Sequence, residues 1–231
     1  MSSNPGELHV HNRTGTTISS TFAVIAAPSL TDGSAVFFGA QVAIDNGTIG
    51  ASLQVSTTGY KKKYGYVFYK LVEGDWVESF SVMPSEATTV GDNCAIAASN
   101  GVFALSLRVS SSLWQVSLYN STGAELGAVP GLYDAPVVAL SGTWLVVSDR
   151  HQSSWSGAVV SDRVAVFDVS DSTSPTYMST LAAPGFPNDS WFGFELAVTS
   201  NTIAVGAQYY WDEVYRSGCH CLRLSTRRGV G

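Results

Sequence analysis

The residues best equipped for chemistry or recognition fall in a few short stretches between apolar runs. Tyr60-Lys61-Lys62-Lys63-Tyr64 sets three ammonium groups between two phenols, a combination suited to an acidic partner or an anionic sugar. Asp149, Arg150 and His151 stand together just before Trp155, so an acid, a cation and an imidazole share one loop. Such a trio can do acid–base work, but no G-x-S-x-G nucleophile motif accompanies it, and surface ion pairing accounts for it equally. Tyr209, Tyr210 and Trp211 offer aromatic faces on which a sugar ring can stack, or that pack against a neighbouring sheet. Cys219-His220-Cys221 has metal-ligating side chains without a second ligand pair at zinc spacing, so no metal and no cofactor is expected. With Cys94 in an apolar run, expected to be a small buried hydrophobe, the three cysteines make no disulfide framework. Four N-x-S/T sequons, at Asn12, Asn46, Asn120 and Asn188, are candidate glycosylation sites.

Composition limits what these groups can serve. The chain has 231 residues, 45% of them hydrophobic and only 13% charged, with a net charge of −6. That is enough apolar material for a sizeable core, and too few clustered cations to neutralise a nucleic-acid backbone. No apolar run is long enough to span a bilayer as a helix. The opening residues, MSSNPGELHVHNRTG, lack the cationic and apolar regions of a secretory signal. Either the protein is cytosolic, or a signal in a longer protein carries it outside the cell or to the cell surface.

The elements that must hold these groups are repeated strands. Four segments align, from Phe38, Gly91, Ala135 and Phe192. With Gly39, Gly91, Ala135 and Gly193 as anchors, the third position on is Val42, Cys94, Val138 and Leu196. The fourth is Ala43, Ala95, Ala139 and Ala197, and the fifth Ile44, Ile96, Leu140 and Val198. The anchors recur every roughly 45–60 residues, the range of propeller blades. Large residues at one parity and alanine at the other suit a strand covered on both faces. Turns follow each copy, with Asn46-Gly47 and Asn100-Gly101 the clearest. Second hairpins recur downstream, and the stretch from His9 matches the one from Ala165 without a gap, both ending in Ala-Ala-Pro.

This pattern predicts an all-β chain, a β-propeller of four-stranded blades that is incomplete, with about four blades' worth of strands. The expected organisation is a half blade at 8–28, blades at 36–84, 90–130 and 135–184, a half blade at 191–211, and an atypical, disordered tail at 212–231. The two halves either complete one another or mark truncation within a larger propeller, and the tail, which matches no repeat unit, favours truncation.

Phe192-Gly193 with Gly206-Ala207, and Phe38-Gly39 with Gly50-Ala51, resemble the FG-GAP repeat. The resemblance covers nearly all of 8–211 and is sharp in the first and last copies. VAVFDVSDSTSPTYMSTL, in the blade from Ala135, is similar instead to the LVIVD repeat, another propeller unit. The FG-GAP resemblance implies adhesion or protein interaction at loops, often outside the cell. It does not bring the family's calcium site, because Asp168-Val169-Ser170-Asp171 lacks the D-x-D-x-D-G ligand set.

On a propeller the loops between second and third strands, and between blades, share one face. Tyr60 to Tyr64, Asp149 to Trp155, and Tyr209 with Tyr210 fall there, and long loops on a rigid scaffold carry recognition. The expected function is a non-enzymatic scaffold binding a protein or a glycan. The alternatives are a propeller-class glycan hydrolase, for which Glu195 and Asp149 are the carboxylate pair to test, and a fragment without activity of its own. Gln41, Asn93, Val137 and Glu195 are equivalent by the alignment, and the three polar ones, Gln41, Asn93 and Glu195, are expected to line a watery central channel.

Overall fold

The computed structural model describes residues 6–14, 16–29, 34–57, 62–84, 94–110, 113–131, 133, 136–149, 163–182, 192–207 and 220–225. Among them the chain is all-β, and no helix is long and apolar enough to cross a membrane. Its sheets are antiparallel meanders of the propeller-blade type, the complete ones four-stranded. The chain divides into two compact units, Met1–Asp92 and Asn93–Gly231.

The first unit holds two sheets. One is the hairpin of β1 (Glu7–Thr14) and β2 (Thr17–Ala26). The other runs β3 (Ser34–Asp45), β4 (Thr48–Ser56), β5 (Lys62–Val72) and β6 (Asp75–Val82) in chain order. β4 is hydrogen-bonded along both edges and buried from Thr48 to Val55 on both faces. One face meets the β1–β2 hairpin, where Leu8 and Ile25 pack with Phe38, Ile49, Leu53, Val67 and Tyr69. Full burial of each such side chain stabilises by about 1.5–3 kcal/mol. Val42 and Ile44 lie on that same face, paired with Ala51 and Ile49, yet remain 48% and 59% exposed.

The second unit stacks three sheets. The first has β7 (Ile96–Ser99), β8 (Val102–Arg108), β9 (Trp114–Asn120) and β10 (Glu125–Ala128). The second has β11 (Val138–Ser141), β12 (Trp144–Asp149), β13 (Arg163–Asp168) and β14 (Thr176–Ala182). The third has β15 (Phe192–Val198), β16 (Thr202–Ala207) and β17 (His220–Ser225). The middle sheet is a slab with two apolar faces. Val138, Leu140, Leu145 and Val147 pack with Ala104, Val116 and Leu118 of the sheet before it. Val146, Val164 and Val166 pack with Phe192, Ile203 and Val205 of the sheet after it. The strand period of two therefore divides one sequence between two cores.

Packing follows the size rule read from the sequence, with two corrections. The first concerns alignment. The turns align the pairs Ala43↔Gly50, Ala97↔Ala104, Ala139↔Val146 and Ala197↔Ala204, so the second copy's equivalent residue is Ala97, not Ala95. A slip of two residues keeps the same face, so hydrophobic periodicity is blind to it. Asn93 accordingly loses its equivalence to Gln41, Val137 and Glu195, and Ala95 takes it. The second concerns burial. Ala139 is buried and Ala197 is exposed, so alanine at this place does not always meet a neighbour.

The Phe-Gly pairs have a common geometry. Phe38 and Phe192 are buried, and the ladder to the next strand is interrupted just after each. Gly39 and Gly193 sit in those bulges at φ of +78° and +93°. A Cβ on Gly39 would meet Leu8, and one on Gly193 would meet Ser148 and Val164. Both glycines thus let a bulge close onto the preceding sheet. Leu8 and Val164 correspond in the ungapped match from His9 and Ala165. The registers agree as well, Leu8 pairing with Ile25 and Val164 with Leu181.

The tail departs from expectation. His220–Ser225 forms β17 and takes the open edge of β16, with Leu222 opposite Val205 and Leu224 opposite Ile203. The alternation Cys-Leu-Arg-Leu-Ser is strand-like by itself, but it resembles no repeat unit.

Candidate functional site

In the second unit β8 turns into β9, and the next blade connection passes beside it, where Trp114 pairs with Tyr133. The turn is tight, with the amides of Val109 and Ser110 both donating to the Leu113 carbonyl, at 3.0 and 3.2 Å. Arg108 closes it by donating from Nε to the Ser110 carbonyl at 2.8 Å. This holds the guanidinium over the Trp114 indole, 5.9 Å from the ring centroid. Trp114 is itself fixed from behind. It exchanges two backbone hydrogen bonds with Tyr133, at 2.8 and 2.9 Å, and the Tyr133 hydroxyl donates to the Pro130 carbonyl at 3.1 Å. Trp114 and Tyr133 are buried, while Val109 and Leu113 are exposed. The result is a cation on an aromatic plate beside two solvent-facing apolar side chains, all anchored to a sheet.

Sequence reasoning did not single out Arg108, Val109, Leu113 or Trp114. Their signal is positional: an Arg-Val before and a Leu-Trp after a short serine turn between second and third strands.

Lys62 and Lys63 open β5, half-buried and opposite Ser56 and Val55. Tyr64 is only 7% exposed, so its ring belongs to the core and leaves the candidate surface. Its parity on β5 puts it with Tyr66 and Phe68 on one buried face. Asp149 ends β12 opposite Arg163. Tyr60, Lys61, Arg150, His151, Trp155, Tyr209, Tyr210 and Asn188 lie outside the described residues, as do Asn93 and Cys219. Glu195 and Gln41 are exposed and Val137 is half-buried. Cys94 is half-buried rather than fully buried. Asn12 falls at a bulge in β1 between His11 and Arg13, and Asn46 lies in the β3–β4 turn. Asn120 is the last residue of β9.

Among the described residues no three His, Cys, Asp or Glu side chains converge as a metal site would require. The groups with displaced proton affinities are phenols and one turn carboxylate. Burial, then the nearby Glu78, pushes the Tyr69 phenol up to about 12. Burial and then Glu125 raise that of Tyr119. Hydrogen bonds from Thr173 lower the Asp171 carboxyl.

No family model matches the sequence, and no curated protein does. In structure the chain is similar to a GH43 endo-arabinanase from Bacillus licheniformis, at 15% identity and a TM-score of 0.39. The likeness covers 95% of this chain and 89% of that one. It is too slight to assign an activity or a substrate.

Proposed function

We propose that this chain is a non-enzymatic binding scaffold of the FG-GAP propeller type, spanning 8–211, which recognises a protein or glycan at a cell surface through its long-loop face. The observation that carries the reading is the Arg108–Trp114 plate with exposed Val109 and Leu113 beside it. Hot spots of recognition are enriched in arginine and aromatic residues, and here both are held rigid before any ligand arrives. Lys62 and Lys63 begin a strand at the corresponding loop of the first unit, a separate candidate whose charge suits an acidic ligand. The shared bulge at Phe38-Gly39 and Phe192-Gly193 supports the FG-GAP assignment. Tyr60 and Lys61 in the first unit, and Asp149, Arg150, His151, Trp155, Tyr209 and Tyr210 in the second, are the further candidates.

The test is binding of the full chain to a glycan array and to intact cells, beside a Val109→Asp, Leu113→Asp double variant of unchanged thermal stability. Loss of binding in the variant supports the reading, and undiminished binding overturns the assigned face. Release of reducing sugar from polysaccharides, abolished by Glu195→Gln, overturns the non-enzymatic reading.

A further inference from the structure

The turn that joins β9 to β10 carries the sequon Asn120-Ser121-Thr122. Asn120 Oδ1 accepts three hydrogen bonds there: from the Thr122 amide at 2.9 Å, the Thr122 hydroxyl at 2.7 Å and the Ala124 amide at 3.0 Å. A carboxamide is planar, so engaging the oxygen with these donors directs Nδ2 away from them. Ser121, Thr122 and Gly123 belong to no strand, and Thr122 is exposed. The amide, the hydroxyl and the backbone between them thus form one unit at the strand end, with Asn120 half-buried and Thr122 exposed.

Asn46-Gly47-Thr48 has the same residue pattern and a different presentation. Thr48 is only 2% exposed and is the first residue of β4, paired with Asp45 on one side and Lys70 on the other. Asn46 Nδ2 donates to Asp45 Oδ2 at 3.1 Å. An enzyme reading the folded chain meets the asparagine without its threonine.

We propose that Asn120 is the acceptor of an N-linked oligosaccharide on the folded protein, and that the turn geometry, beyond the sequon itself, makes it one. The donor class is a lipid-diphosphate-linked oligosaccharide and the catalyst an oligosaccharyltransferase. A bond forms between Asn120 Nδ2 and the sugar C1, while the bond from C1 to the diphosphate oxygen breaks. The lipid diphosphate leaves with the bonding pair, and the Nδ2 proton passes to a base of the transferase. The inference does not rest on the binding reading above.

A second turn provides the control. Between β13 and β14, Asp171 Oδ1 accepts from the Thr173 amide at 3.0 Å and the Thr173 hydroxyl at 2.6 Å, the arrangement of Asn120 and Thr122. The segment reads Asp171-Ser172-Thr173, so Asp171→Asn alone completes a sequon in a turn already shaped this way.

The experiment incubates the folded full chain with a purified oligosaccharyltransferase and a lipid-diphosphate oligosaccharide, and reads each site by mass spectrometry after proteolysis. The expected result is a glycan at Asn120, lost in Asn120→Gln and in Thr122→Ala, the latter with unchanged circular dichroism. Asn46 stays unmodified until the chain is unfolded, and Asp171→Asn gains a glycan at that position. An unmodified Asn120, an Asn46 modified as fast in the folded chain, or an Asp171→Asn variant that gains nothing would each overturn the proposal.

Discussion

Ser106 Oγ lies 2.8 Å from the backbone nitrogen of Ala95, eleven residues back and just before β7, and accepts its proton. The same bond joins Gln41 to Ser52 at 2.9 Å and Val137 to Ser148 at 3.0 Å, each across eleven residues. In the first unit it lies beside the bulge after Phe38, where the ladder skips and amides lose their cross-strand partners. A buried serine supplies an acceptor. Ser106→Ala is expected to cost about 0.5–1.5 kcal/mol, the net worth of the one hydrogen bond removed. Urea unfolding measures it, and an unchanged midpoint at the same m-value would show that Ala95 does not depend on Ser106.

The fourth copy has glycine at this place. Gly206 stands eleven residues after Glu195, and a Cβ built there lies 3.6 Å from the Glu195 nitrogen, in ordinary contact. Gly206→Ser is therefore expected to be tolerated and to raise stability by about 0.5–1.5 kcal/mol, as one added hydrogen bond does. A lowered thermal midpoint would rule out the equivalence of Gly206 with the three serines.

The two bulge glycines differ in what surrounds them. A Cβ on Gly39 meets the end of the flexible Leu8 side chain, whereas one on Gly193 meets Ser148 Cβ at 2.8 Å and Val164 Cγ2 at 3.0 Å. Both alanine variants incur the cost of positive φ, about 1–3 kcal/mol, and Gly193→Ala adds overpacking of similar size. Gly193→Ala should thus be the more destabilising in chemical melts, and the reverse order would contradict the described packing.

Tyr69 has a buried hydroxyl with no hydrogen-bond partner among the described residues, and its phenol is pushed up to about 12. The folded chain therefore holds this proton to higher pH than the unfolded chain, whose tyrosines titrate near 10. The stability tied to it is complete below 10 and is lost as pH rises from 10 to about 12. Tyr69→Phe should be neutral or stabilising at neutral pH and should flatten the alkaline decline. Unfolding free energies measured across that window decide it.

Architecture was legible because it is written in periods: two along each strand, and one blade along the chain. The ungapped match from His9 to Ala165 reaches down to the register, since Leu8–Ile25 and Val164–Leu181 are the same pair. The slip at Ala95 and Ala97 shows what periodicity lacks. Two residues preserve the face, and only the turn, or the serine eleven residues on, fixes the position. Tyr64 was misplaced because a tyrosine beside three lysines looks solvated, while strand parity sends its ring inward. Arg108 and Trp114 carry no motif; their stacking depends on Ser110 and Tyr133, which are remote in type and, for Tyr133, in sequence.

Among the described residues every strand pairing joins strands that are consecutive along the chain. Low sequence separation of contacts speeds folding, because little loop entropy is lost before a pairing forms. A ribosome can therefore release this chain one meander at a time, each able to zip before the next emerges. Pulled from its ends, such a chain should yield in steps of one sheet, since no described strand is sewn between two that lie elsewhere in the sequence.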